Sequence, residues 1–156
     1  MNRTPDTTDP LDRFFVPVAS WFRDVFIEPT VVQSQAWDAI SRGDHALVVA
    51  PTGSGKTLAA FLWALSRLTS QGLMRGTGQD ANRTSGTRVL YISPLKALGV
   101  DVERNLQVPL AGIARTAAAS DDPTHADIAP VSIGVRSGDT PQAERAKLLR
   151  TPPDIL

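Results

Sequence analysis

The chain predicts an α/β fold, a parallel β-sheet flanked by helices. Two observations carry that expectation. Short apolar runs at 46–50, 88–92 and 131–135 have the length and continuity of strands covered on both faces. Stretches with helix signals follow each run, and strand–helix alternation is the signature of parallel strands joined by right-handed crossovers. A glycine-rich turn, Gly53-Ser54-Gly55, separates the first run from its helix. At 156 residues the chain fits one domain that can bury a core.

Residues 1–10 read as a loose polar tail. Val18, Trp21, Phe22, Val25 and Phe26 then fall at helical spacing, predicting an amphipathic helix that ends at Glu28-Pro29, because proline disfavours helix in the residue before it. Thr30 opens a second helix to about Arg42, stopped by Gly43. After the strand Ala46-Leu47-Val48-Val49-Ala50 and the glycine loop, Leu58, Phe61, Leu62, Leu65 and Leu68 mark the next helix. Residues 69–87 lack apolar periodicity and are expected to form an exposed, flexible loop. A second strand, Arg88–Ile92, precedes a helix after Pro94, and a second flexible polar insertion is expected near 114–130. Val131–Val135 is the third strand, and Thr140-Pro141 is suited to start the next helix as N-cap and first-turn pair. Asp154-Ile155-Leu156 looks like the opening of a fourth strand, so the sheet is expected to be incomplete at the C-terminus and the chain to be a fragment. The expected organisation is an N-terminal tail and helix, 1–28, and a partial nucleotide-binding domain, 29–156.

Composition narrows the function. Formal net charge is zero, so long-range attraction does not advertise a nucleic-acid partner, and any such partner must be argued from local motifs. The absence of cysteine removes disulfides, thiolate metal sites and a cysteine nucleophile. His45 and His125 lack metal-ligand spacing, and no nucleophile–base–acid triad can be assembled. No apolar run approaches the roughly 20 residues needed to cross a bilayer, and the N-terminus lacks a signal-peptide profile. The expected setting is cytoplasmic, with no membrane partner.

Ala50-Pro51-Thr52-Gly53-Ser54-Gly55-Lys56-Thr57 fits the phosphate-loop pattern G-x-x-x-x-G-K-[ST], with alanine at its first position. Glycines let backbone N–H groups wrap phosphates, and a helix starting at the loop points its positive dipole end at them. Thr52, Gly53, Ser54, Gly55, Lys56 and Thr57 are therefore the expected ATP-binding residues. Lys56 is the expected catalytic charge on the β- and γ-phosphates, and the Thr57 hydroxyl the expected Mg²⁺ ligand.

The octapeptide 50–57 resembles motif I of superfamily 2 helicases, where alanine often replaces the first glycine. Pro29-Thr30-Val31-Val32-Gln33 resembles their Q motif, and Ser93-Pro94-Leu95-Lys96-Ala97-Leu98 their motif Ia. Gln35-Ala36-Trp37, Val100–Leu106 and Arg136-Ser137-Gly138-Asp139-Thr140 narrow the resemblance to the Lhr (large helicase-related) family of DEAD/DEAH-type helicases, over roughly 26–156. That resemblance implies a RecA-like phosphate-loop NTPase domain within a two-domain motor. Such a motor uses ATP and Mg²⁺ to move along single-stranded DNA and to unwind DNA or DNA–RNA duplexes, with DNA repair a fitting role. It also implies that the acidic metal-holding motif, the coupling motif and the second RecA-like domain lie downstream. Phosphoryl transfer needs all these parts together, so the 156-residue chain alone is expected to bind ATP without turning it over. Alternatives are another phosphate-loop ATPase, such as a transporter or regulatory subunit, and a non-catalytic nucleotide-binding module.

Several residues carry two uses. The Gln33 amide can pair with an adenine edge, or fold back as the capping-box partner of Thr30. Ser93, Pro94, Leu95 and Lys96 can hold a strand phosphate, or form an ordinary strand-to-helix turn with the lysine solvated. Arg136, Gly138, Asp139 and Thr140 can touch a nucleic-acid backbone, although helix capping already accounts for Thr140. Phe14 and Phe15 can stack on adenine or fill the core, the commoner fate of clustered aromatics.

Overall fold

The computed structural model describes residues 9–75, 86–94, 96–126 and 128–156. A 3-10 turn at Pro10–Arg13 leads into six helices: α1 (Val16–Val25), α2 (Val31–Ser41), α3 (Lys56–Arg75), α4 (Lys96–Ala118), α5 (Pro123–Ala126) and α6 (Gln142–Arg150). α1 is shorter than expected. Phe26 already has an extended backbone, so Val25 and Phe26 leave the buried face with 55% and 39% exposure, while Val18, Trp21 and Phe22 stay in the core. α2 begins with both halves of a capping box: the Gln33 N–H donates to Thr30 Oγ1 at 3.2 Å, and the Thr30 N–H donates to Gln33 Oε1 at 3.0 Å.

Trp37 on α2 is fully buried, with Phe14 and Phe22 edge-on to its ring at centroid distances of 4.9 and 5.5 Å. Its indole N–H donates to the Ala59 carbonyl at 3.1 Å, which satisfies the one polar atom of the ring and fastens α2 to α3. Phe14 therefore belongs to the core, and half-buried Phe15 lies edge-on to His125. α1 packs along α4, where the Trp21 indole lies so close to Gly112 that a Cβ there would come within 2.1 Å of Nε1.

Both expected insertions overlap helix. α3 continues to Arg75, because buried Thr69 turns its hydroxyl onto the Leu65 carbonyl at 2.8 Å instead of competing with the helix. α4 continues to Ala118 through an alanine-rich turn of high helix propensity, with Ala117 buried. Residues 76–85 of the first insertion lie outside the described residues.

Among the described residues the expected sheet appears only as two isolated parallel bridges, Val89–Ile155 and Ile133–Ile155. The segment at 154–156 thus lies between 88–92 and 131–135. The Val89 N–H donates to Asp154 O and the Leu156 N–H to Val89 O, each at 3.0 Å, and the Gly134 N–H donates to Ile155 O at 2.9 Å. The first expected strand differs more. Residues 46–50 carry no ladder, and Leu47 and Val49 are 92% and 85% exposed. Leu90 and Ile92 are exposed as well, so 88–92 is covered on one side only, through Val89. A strand is buried on two faces only when neighbours supply both, and the described residues supply them for Ile155 alone.

Asp154 joins the starts of all three segments. One oxygen accepts from Arg88 Nη2 at 2.5 Å, and the other accepts from the Ser132 N–H and hydroxyl at 2.8 and 2.7 Å. Burial pushes this carboxyl up, but the Ser132 donors and the Arg88 guanidinium outweigh it and hold the group below the usual carboxylate range. A carboxyl depressed by folding stabilises the fold above its unfolded pKa, and that contribution is lost as pH falls through the folded value. Asp154→Asn is accordingly expected to lower the urea midpoint at neutral pH. The gap to wild type should close as pH drops below the usual carboxylate range, and a gap independent of pH would contradict this.

Candidate nucleotide site and nucleic-acid cleft

The phosphate loop lies between residues 46–50 and the start of α3 at Lys56. Gly53 and Gly55 both have φ of 81°, a left-handed conformation that costs other residues roughly 1–2 kcal/mol. The start of α2 braces the loop. The Thr30 hydroxyl donates to the Ser54 carbonyl at 3.1 Å, and Gln33 Nε2 donates to the Gly55 carbonyl at 3.4 Å. In a trans peptide unit the C=O and the following N–H point to opposite sides. The Gly55 carbonyl also accepts from the Ala59 N–H at 2.9 Å, so the start of α3 and the α2 brace together turn the Gly55 and Lys56 N–H groups away from these carbonyls, to the side where an anion would lie.

Gln33 is 4% exposed, and both ends of its amide are engaged, one with its own helix start and one with the loop. The Lys56 ammonium folds back onto the Ala50 and Pro51 carbonyls at 2.6 and 2.5 Å. Ser54 Oγ is buried without a hydrogen-bond partner. Turned-out amides, an ammonium held only by neutral carbonyls and an orphaned hydroxyl form a donor set suited to a polyphosphate. Thr57, exposed in the first turn of α3, adds a hydroxyl oxygen of the kind Mg²⁺ accepts beside phosphate and water. Among the described residues no group of three His, Cys, Asp or Glu side chains converges as a metal site, and no helix is long and apolar enough to cross a membrane.

A separate cleft of about 650 Å³ opens at the C-terminal ends of the paired segments, where α/β proteins place ligands. Ser93 and Pro94 line it together with Arg136, Ser137 and Gly138, so the structure brings two distant sequence motifs to one place. Leu95 lies outside the described residues, as does the side chain of Lys96, the first residue of α4. Asp139 and Thr140 do not line the cleft; they lie in the turn that leads to α6. Thr140 is not the N-cap expected of it. Pro141 holds that position, and the Thr140 hydroxyl accepts from the Ser137 N–H at 2.7 Å, closing the turn. No residue of 50–57 lines this cleft.

Two contributors go beyond what the sequence predicts. Thr30 carries a signal, in its capping box and in the Q-motif resemblance, but neither points to its hydroxyl bond with the Ser54 carbonyl. Arg145, which donates to three carbonyls of the 137–140 turn, carries no signal, being one arginine in a polar helix.

A DEAD/DEAH box helicase model matches residues 30–156. The Lhr helicase/probable uracil glycosylase of Mycolicibacterium smegmatis is 49% identical over 153 residues, 98% of this chain and 9% of that protein. The Lhr helicase/uracil glycosylase of Escherichia coli is 49% identical over 162 residues, 100% of this chain and 10% of its own length. The solved structure of Mycobacterium smegmatis helicase Lhr bound to ssDNA and AMP-PNP matches with a TM-score of 0.79 and 50% identity, covering 96% of this chain and 17% of that one. The chain thus spans about a tenth of the length of these curated relatives. Fold and family together define a RecA-like helicase domain. The chain belongs to the DEAD/DEAH box helicase family, and within it resembles the Lhr helicases over nearly its whole length.

A Cβ at Gly55 would lie 2.5 Å from Gln33 Nε2, in addition to the strain of the positive φ. Gly55→Ala is expected to displace the brace, costing about 1–3 kcal/mol of stability and at least ten-fold in Mg-ATP affinity. Unchanged melting and calorimetric titrations would contradict this placement of the loop.

Proposed function

We propose that this chain is the ATP-binding part of a helicase motor that moves along single-stranded DNA and unwinds DNA or DNA–RNA duplexes. The observation that carries the proposal is the braced loop at 53–56, with its turned-out amides and the Lys56 ammonium beside them. Thr52–Thr57 hold the triphosphate tail, Lys56 exchanges its carbonyl partners for phosphate oxygens, and the Thr57 hydroxyl ligates magnesium. Thr57 would hold a bound magnesium ion, whose positive charge would offset that of the phosphates. Ser93, Pro94, Leu95 and Lys96, with Arg136, Gly138, Asp139 and Thr140, contact the strand backbone, a pattern that positions without reading sequence. The solved relative was bound to ssDNA and AMP-PNP, which supports a single strand and a nucleotide as the ligands of this reading.

Domain 29–156 performs this role within a longer polypeptide, with a second RecA-like domain as its partner, and binds ATP without turnover by itself. Strands from that polypeptide complete a parallel sheet beside 46–50, whose exposed Leu47 and Val49 await cover. The cytoplasm is the proposed setting. DNA repair is the proposed pathway, in keeping with the uracil glycosylase in the names of two relatives.

Gln33 reads adenine in this proposal with the capacity that its brace leaves over. Its amide accepts one hydrogen bond and donates one, so a second oxygen lone pair and a second Nε2 hydrogen remain for the N6 donor and N7 acceptor of adenine. Gln33→Ala should weaken ATP more than GTP, and an unchanged ratio of the two affinities would leave the residue as a brace alone. Lys56→Ala should lower calorimetric Mg-ATP affinity at least ten-fold, since a charge-assisted contact is removed. Retention of wild-type affinity would contradict the proposal.

A further inference from the structure

Arg145 lies near the start of α6 and lines the cleft, yet the polar contacts of its guanidinium go to the protein's own backbone. Nε donates to the Thr140 carbonyl at 2.8 Å, and Nη2 donates to the carbonyls of Gly138 at 2.5 Å and Ser137 at 3.4 Å. The turn is closed from within by the Ser137 N–H on the Thr140 hydroxyl. Three carbonyl oxygens of one short turn are thus gathered onto one planar cation, a task a fork of fixed N–H groups can perform and a lysine point charge cannot.

The consequence bears on what the turn can face. A phosphodiester offers only acceptor oxygens, and carbonyl oxygens presented to it would repel it. Arg145 takes the carbonyls of Ser137, Gly138 and Thr140 as acceptors, so none of the three stands unpaired against a phosphate. Trans peptide geometry points the Gly138 and Asp139 N–H groups away from the carbonyls that precede them, while Pro141 leaves the Thr140 carbonyl without such an N–H. Arg136, exposed at the cleft, is a side chain that can meet a phosphate directly.

We infer that Arg145 is a positioning residue of the nucleic-acid interface: it shapes the 137–140 turn to receive the phosphodiester backbone of a single strand without itself contacting a phosphate. This rests on the proposed assignment of the cleft to nucleic acid. Salt dependence separates the two kinds of arginine, because each phosphate neutralised on a single strand contributes about 0.7 to the slope of log affinity against log salt. The test is fluorescence anisotropy of a labelled oligo-dT strand over a potassium chloride series, with wild type, Arg136→Ala, Arg145→Gln and Arg145→Lys.

Arg136→Ala should lower the slope by about 0.7. Arg145→Gln and Arg145→Lys should each weaken binding by about ten-fold with the slope and the Mg-ATP affinity unchanged, since the lost element is the fork and not a phosphate contact. Full binding by either Arg145 variant would overturn the inference. So would a reduced slope in Arg145→Gln restored by lysine, which marks a direct charge contact. Loss of Mg-ATP binding and of melting temperature in both Arg145 variants would overturn it in favour of general fold support. Failure of the wild-type chain to bind the strand at all would remove the interface assignment itself.

Discussion

The phosphate loop depends on where two carbonyl groups point. Ser54 and Gly55 turn theirs toward Thr30 and Gln33 at the start of α2, and the amides that follow are thereby committed to the opposite side. Positive φ at Gly53 and Gly55 makes the path sterically possible, but glycine alone would leave the loop a choice of conformations. The α2 brace narrows that choice. A capping box that serves its own helix start also serves the neighbouring loop, so one pair of side chains orders two pieces of backbone.

The brace is only as firm as the packing beneath it. Trp37, one turn along α2, is clasped by Phe14 and Phe22 and hydrogen-bonded to Ala59 in the first turn of α3. α2 is thus joined to the loop at Ser54 and Gly55 and to the helix fed by it at Ala59. The 3-10 turn and α1, which precede the region matched by the family model, complete this support: Arg13 reaches Asp38 and Ser41 on α2, and the Phe15 N–H donates to Ser66 on α3. In the 137–140 turn Arg145 repeats the device seen at the loop, binding the backbone carbonyls of a turn proposed to face an anion.

The parts of this chain that were legible in sequence are those fixed by local chemistry. Thr30-x-x-Gln33 and Gly43 bounded α2 to within a residue, and the glycine–lysine pattern located the loop and the start of α3. Local reading failed where longer-range partners decide. Residues 46–50 are more uniformly apolar than 88–92, but among the described residues only the second has a ladder partner, because Asp154–Leu156 lies beside it. Polar composition at 69–75 and 114–118 suggested loops, whereas burial of Thr69 and Ala117 against neighbouring elements keeps those turns helical. Thr140 and Arg145 were opaque for the same reason, since their partners are backbone carbonyls and amides that no residue pattern announces.

The central claim is that the amides of 52–57 grip a triphosphate tail, and amide-resolved NMR tests it most directly. Titration with Mg-ATP should shift the N–H signals of Gly53, Gly55, Lys56 and Thr57, whereas adenosine at the same concentration should leave them in place. Equal shifts with adenosine, or ATP-induced shifts confined to residues remote from the loop, would contradict the account.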